Sequence, residues 1–147
     1  MTSTNPWLVV GGCLSAAAAL LHVGVIVGGP EWYRFFGAGE AMAHMAERGN
    51  PYPAIVTTGI AIVLSVWAAY AFAGAGLIRR LPLMRTALVA ISAIYLARGL
   101  LIVPVLLQPS PAAFDIWSSL IVLGYGAVYA IGTATAWPLL SHNESFA

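Results

Sequence analysis

The sequence predicts an all-α, polytopic membrane protein whose four transmembrane helices form an antiparallel bundle. Of its 147 residues, 61% are hydrophobic and only 7% are charged, whereas soluble domains carry about 25% charged residues. Four apolar stretches, at about 7–28, 53–78, 83–107 and 114–140, reach the roughly 20 residues that a spanning helix needs. We expect residues 1–147 to form a single membrane domain built on these spans.

The composition argues against several classes of function. The net charge is +1 and no basic stripe is present, so we expect no nucleic-acid partner. Cys13 is the one cysteine of the chain, which excludes an internal disulfide and any paired-cysteine redox or zinc motif. The lipid bilayer is therefore the one partner that the composition itself predicts.

The arginines predict the orientation of the chain. The short connection IRRLPLMR between the second and third spans holds Arg79, Arg80 and Arg85, and short basic connections stay in the cytoplasm. We therefore expect cytoplasmic amino and carboxyl termini. The longer segment at 29–52, which joins the first two spans, would then face outward.

Small residues recur in the spans at intervals of four, as at Gly126, Ala130 and Ala134. Such spacing lets helix backbones approach closely in a bilayer, which predicts tight packing within the chain or a face for a homo-oligomer. Residues 68–75 and 127–134 also share the pattern A-x-Y-A-x-x-x-A. This similarity suggests a pseudo-repeat of two helical hairpins.

The 29–52 segment is more elaborate than a plain connection. Helix-forming residues run from Ala38 to Arg48 between flanking glycines, which predicts a short helix with clear stop signals. At 100° per residue, Glu40, His44 and Glu47 share one face and apolar residues lie opposite, so the helix is amphipathic. We expect the segment to cap the outer mouth of the bundle.

Arg98 is the single charge in the apolar interior of the four spans. It lies about nine residues from the outer end of its span, or roughly 14 Å deep at 1.5 Å per residue. A charge at such a depth costs about 2.5 to 3.5 kcal/mol even on the mildest scale. We expect it to face the protein interior and to be paired, the candidate partners being Glu31, Glu40, Glu47 and Asp115.

These observations predict an outward-opening polar pocket for a small anionic or lipid-like ligand, formed by His22, Glu40, His44, Tyr95 and Arg98. A metal held by His22, Glu40 and His44 is an alternative, but a nearby arginine would oppose a cation, and we assign no metal, cofactor or catalytic residue. A second alternative is a structural or accessory membrane protein in which Arg98 only anchors the 29–52 segment through an ion pair. An intramembrane enzyme, with Glu40 or His44 as base, is the third.

The run GGPEWYRFFGAGE, its spacing to IRRLPLMRT and the arginine-bearing third span resemble a group of small four-helix membrane proteins of bacteria. The resemblance covers most of residues 14–138. It implies a bacterial inner-membrane location. It implies no activity and assigns no functional residue.

Overall fold

The fold is described from a computed structural model of the protein, which describes residues 4–140. The predicted cytoplasmic termini therefore lie partly outside the described residues. Seven α-helices and no strand occur in this range. They are α1 (Pro6–Gly28), α2 (Pro30–Phe35), α3 (Glu40–Glu47), α4 (Tyr52–Gly74), α5 (Met84–Leu100), α6 (Ile102–Leu106) and α7 (Ala113–Leu140).

Four stretches of helix are long and apolar enough to cross a membrane. They are Pro6–Gly28, Tyr52–Gly74, Met84–Leu106 and Ala113–Leu140. A helix satisfies all of its backbone hydrogen bonds within itself, which is why lipid selects this structure. The prediction of an all-α, multi-pass membrane protein with four spanning helices is confirmed.

The chain divides into two compact units. One comprises the residues up to Leu14 together with those from Trp67 onward, and the other is Ser15–Val66. Both boundaries fall inside long helices, α1 and α4. That the whole chain forms one membrane domain, and that its hairpins repeat, stay predictions.

The helix of the second span ends at Gly74, earlier than the predicted end at Ile78. Gly76 adopts a φ of 82°, a left-handed conformation that glycine reaches without steric penalty. Gly76 N–H donates to the carbonyl of Ala73 at 3.1 Å and Leu77 N–H to that of Phe72 at 2.9 Å. These two bonds are the Schellman motif that ends many helices.

The third span consists of two helices instead of one. Helix α5 ends at Leu100 and α6 starts at Ile102. Pro104 lies four residues after Leu100, and a proline ring clashes with the carbonyl four residues before it. The break between α5 and α6 therefore has a clear cause in the sequence.

Close packing of α5 on α7 organises the first unit. A Cβ atom added at Gly99 would lie 2.5 Å from Cα of Leu123, and one at Gly126 would lie 2.8 Å from the backbone nitrogen of Leu96. Only glycine permits such backbone approach, which is how helices gain van der Waals contact in lipid. Gly126, the first of the small residues at intervals of four, thus packs within the chain.

The second unit contains the helical pair α2–α3. Its apolar core consists of Val25 from α1, Tyr33 from α2 and Ala43 from α3, with Phe36, Met42 and Ala46 packed against them. The predicted short amphipathic helix is confirmed as α3, because Glu40, His44 and Glu47 are exposed. Helix α2 was not predicted, although Pro30 stands at its first turn, where proline is favoured.

Candidate functional site

Arg34 is the centre of a charged cluster on α2 and α3. Its Nη1 donates to Glu31 Oε1 at 3.0 Å, its Nε to Glu40 Oε2 at 3.0 Å and its Nη2 to Glu47 Oε1 at 2.6 Å. A guanidinium carries its donors in a rigid planar fork that suits carboxylates. One cation therefore holds three carboxylates of the 29–52 segment, and we call these four residues with His44 the Arg34 cluster.

His44 connects two of those carboxylates. Its Nδ1 lies 2.9 Å from Glu47 Oε2, and its Nε2 lies 3.5 Å from Glu40 Oε2. Glu40, His44 and Glu47 occupy positions three and four apart on α3, where side chains meet on one face. The carboxylates of Glu40 and Glu47 each contact both the Arg34 guanidinium and the His44 imidazole.

The ion pairs shift the pKa values within the cluster. Hydrogen bonds from Arg34 and then from His44 lower the pKa of Glu47 below its ordinary value of 4.5. Hydrogen bonds to Glu47 and Glu40 raise the pKa of Arg34 above its ordinary value. Both shifts favour the charged forms, so Arg34 and Glu47 stay ionised across the neutral range.

His22 lies on α1 and is bound to its own helix. Its Nδ1 is 2.7 Å from the carbonyl oxygen of Ala18, one turn earlier. A carbonyl accepts only, so Nδ1 carries the proton in this contact. In a neutral ring Nε2 is then the acceptor and is the atom through which His22 can bind a further group.

Arg98 lies near the end of α5 and is exposed on the protein surface. Its Nη1 donates to Ser119 Oγ on α7 at 3.4 Å, which is longer than the usual range for such bonds. Asp115 lies one turn from Ser119 on α7, and no ion pair within 4.0 Å joins it to Arg98. Among the described residues of its own unit, the guanidinium thus has one long bond to a neutral hydroxyl.

Tyr95 lies one turn before Arg98 and is 5% exposed. Its ring contacts three others, with centroid distances of 4.9 Å to Trp67, 5.5 Å to Tyr125 and 5.3 Å to Tyr129. Edge-on and tilted ring pairs of this kind stabilise packing beyond the area they bury. Tyr95 therefore forms part of the packed interior beside Arg98.

The predicted site residues fall into two groups. Glu40 and His44 meet in the Arg34 cluster, and His22 lies on α1 in the same unit. Tyr95 and Arg98 lie one turn apart on α5 in the other unit. The single pocket that would join the two groups stays a prediction.

Arg34 was not among the residues predicted for the site. One signal was present, because Glu31 and Arg34 stand three residues apart, a spacing that brings side chains together on a helix. The contacts to Glu40 and Glu47 depend on the reversal at Gly37 and Gly39, whose φ values are 71° and 90°.

No protein-family model, curated protein or solved structure matches this chain. Among residues 4–140, no three His, Cys, Asp or Glu side chains are grouped so that they could hold a metal ion. The four spanning helices define the class: this is an integral, multi-pass membrane protein.

Proposed function

We propose that the protein binds a small anionic or lipid-like molecule in the membrane, with Arg98 as the counter-ion. The observation that carries the proposal is that Arg98 has few polar contacts. Among the described residues of its own unit, its one hydrogen bond is the 3.4 Å contact with Ser119. Arg98 lies three residues from the middle of the Met84–Leu106 span, about 4.5 Å along the axis at 1.5 Å per residue. An arginine so deep in an apolar span marks a functional site by default.

Arg85 on the same helix provides a contrast that supports this interpretation. Its Nη2 donates to the carbonyl of Trp137 at 3.1 Å, and its Cζ lies 4.6 Å from the centre of the Trp137 ring. That guanidinium, near the end of the span, receives both a strong acceptor and an aromatic face. Arg98, near the middle, receives neither from its own unit, and an anionic ligand would supply the missing acceptors through bidentate hydrogen bonds.

The remaining predicted residues have roles in the same proposal. Tyr95 would form a rigid aromatic wall beside the anion, since three rings hold it in place. The 29–52 segment would act as an outward-facing cap that contributes Glu40 and His44. His22 would offer Nε2 to a polar part of the ligand, because Nδ1 is occupied by Ala18. We propose a bacterial inner-membrane location with both termini in the cytoplasm.

Native mass spectrometry of the protein in mild detergent tests this function. We compare the wild type with Arg98→Gln and Arg98→Lys. Arg98→Gln removes the positive charge, whereas Arg98→Lys keeps the charge but lacks the planar guanidinium that binds an anion through two hydrogen bonds. Arg48→Gln is the matched control, because it removes one arginine outside the spans. A stoichiometric adduct on wild type and Arg48→Gln that is weaker on Arg98→Lys and lost from Arg98→Gln supports the proposal. An adduct that persists on Arg98→Gln contradicts it.

A structural or accessory role is the second candidate, and the Arg34 cluster favours it. The cluster satisfies its own charges within the 29–52 segment, so that segment is held together without a ligand. In this case Arg98 would be an ion-pair anchor for Glu40, and it would have to share that carboxylate with Arg34 and His44. A double-mutant cycle of Arg98→Ala and Glu40→Ala tests whether the two side chains form an ion pair. Losses of stability that are coupled indicate pairing, and losses that are additive exclude it.

A further inference from the structure

A cavity of about 210 Å³ lies where the connection between α4 and α5 meets the end of α7. Two arginines, Arg80 and Arg85, form its polar wall, and its apolar wall includes Leu81, Pro82, Leu83 and Leu140. No acidic side chain lines it among the described residues. Its lining includes neither Arg98 nor any residue of the Arg34 cluster, and the proposed ligand site uses none of the lining residues.

Arg85 has one nitrogen that the protein leaves unsatisfied. Nη2 donates to the Trp137 carbonyl at 3.1 Å, but Nε is buried without a hydrogen-bond partner among the described residues. Buried donors are almost always paired, so an exception needs an explanation. Because Nε has almost no accessible surface, a ligand oxygen in the adjoining cavity would pair with it only after a small shift of the Arg85 side chain.

The start of α5 adds positive potential at the same place. The residue before it, Leu83, makes no side-chain capping bond and has a left-handed φ of 54°. The first backbone N–H groups of a helix lack internal partners and carry a partial positive charge. Leu83, Met84 and Arg85 all line the cavity, so this helix end reinforces the two guanidinium groups.

Exposed apolar side chains occur in the connection that lines this cavity and near the end of α7. Leu83 is 74% exposed, and Leu77 and Leu139 are 53% and 52% exposed. A left-handed leucine that is also exposed is unfavourable in water on both counts, whereas a bilayer removes the cost of its exposure. Basic groups beside exposed apolar groups match a molecule with an anionic head and acyl chains.

We propose that this cavity binds a phosphate-bearing anion, namely the headgroup of an acidic phospholipid. Arg80 and Arg85, which both line the cavity, would hold the phosphate oxygens. The exposed leucines would contact the acyl chains. The proposal is independent of the anion site at Arg98.

Native mass spectrometry with added lipid tests the site on the full chain. Phosphatidylglycerol is titrated against wild type, Arg80→Gln and Arg79→Gln, with the zwitterionic phosphatidylcholine as lipid control. Arg79 is the matched control because it is the neighbouring exposed arginine but does not line the cavity. We expect Arg80→Gln to weaken binding of phosphatidylglycerol about fivefold or more and Arg79→Gln to change it less than about twofold.

Two further variants keep the test decisive. Arg85→Gln should weaken binding at least as much as Arg80→Gln. If Arg85→Gln does not fold, Arg80→Gln still tests the site, since the Arg80 side chain forms no bond to the part of the chain that the structure describes. Arg98→Gln should leave this binding unchanged, which separates it from the proposed function.

Inorganic phosphate, added without lipid, distinguishes the source of the anion. If inorganic phosphate binds without lipid and Arg80→Gln abolishes that binding, the ligand is a free phosphate. This result supports the assignment of the cavity as a phosphate-binding site. If phosphatidylglycerol binds and neither phosphatidylcholine nor inorganic phosphate does, the ligand is the headgroup of an acidic phospholipid. Equal losses in Arg79→Gln and Arg80→Gln, or equal binding of the two lipids, would overturn the proposal.

Discussion

Nη2 of Arg34 donates to Oε1 of Glu47 at 2.6 Å and so joins α2 to α3 across 13 residues of the chain. Helix α2 has only six residues, and helices this short are not stable in isolation. The buried contact of Tyr33 with Ala43 provides the apolar part of the junction. The Arg34 cluster provides the polar part and fixes the direction of the reversal between the helices.

Arg34→Gln should loosen the α2–α3 pair without affecting the spanning helices. The substitution removes the one cation that three carboxylates share, and it leaves those carboxylates to repel one another. We expect faster amide hydrogen exchange in residues 30–47 and unchanged exchange in α5 and α7. Hydrogen-exchange mass spectrometry in detergent measures this.

Arg48→Gln is the control for that variant. Arg48 contributes a hydrogen bond from Nε to the carbonyl of His44 at 3.2 Å and no carboxylate contact, so its loss should change exchange little. Equal effects of Arg34→Gln and Arg48→Gln would contradict a specific role for the cluster.

Acid should open the same pair of helices. The pKa of Glu47 is lowered in the folded protein relative to its ordinary value of 4.5, chiefly by Arg34 and then by His44. A lowered pKa contributes stability that is present above the unfolded value and is lost as the pH falls through the folded value. We expect protection of residues 30–47, normalised to intrinsic exchange rates, to be constant above about pH 5 and to fall below pH 4.5. In Arg34→Gln this loss should be smaller, and an equal loss would exclude Glu47 as its cause.

The sequence was sufficient to predict the four spans and α3, for physical reasons. Because the bilayer core offers no water, the backbone N–H and C=O groups of a spanning segment must form hydrogen bonds within the protein. Long apolar stretches therefore form helices. Helix α3 could be predicted because glycines flank it on both sides and because it has a polar face. Even the break at Leu101 could have been predicted, because Pro104 stands four residues after Leu100.

The candidate sites were less predictable because they depend on tertiary contacts. Arg34 meets Glu47 only because the chain reverses between α2 and α3, and the sequence does not specify that geometry. The basic cavity requires Leu140 to lie beside Arg80, although they are far apart in the chain. In contrast, Arg98 could be recognised from the sequence, because a charge inside an apolar span is informative wherever the helices lie.

Two substitutions of Tyr95 should separate the contribution of its ring to stability from that of its hydroxyl. Tyr95→Ala removes a buried ring that contacts Trp67, Tyr125 and Tyr129, and loss of such a ring costs about 3 to 5 kcal/mol. Tyr95→Phe retains the ring and should cost no more than about 1.5 kcal/mol, the upper end of the range for the loss of one hydrogen bond. Chemical denaturation in detergent measures both. If Tyr95→Phe is as unstable as Tyr95→Ala, ring packing is not the main role of Tyr95.

Glycine substitutions should locate the contact between α5 and α7. Gly99→Ala would place a Cβ atom 2.5 Å from Cα of Leu123, and Gly126→Ala would place one 2.8 Å from the backbone nitrogen of Leu96. Because backbone atoms cannot move aside as side chains do, we expect each to destabilise the protein by about 1 to 3 kcal/mol or more. Denaturation midpoints of purified variants measure the loss.

Gly124→Ala is the matched control on α7. A Cβ atom there meets nothing within 4 Å, so the variant should be neutral or gain up to about 1 kcal/mol from helix propensity. Mass measurement of the same three variants in mild detergent also tests the oligomer alternative. If Gly126 served a face between copies of the chain, Gly126→Ala would change the oligomeric mass while Gly99→Ala would not. We expect equal masses, because Gly126 already packs against Leu96 of its own chain.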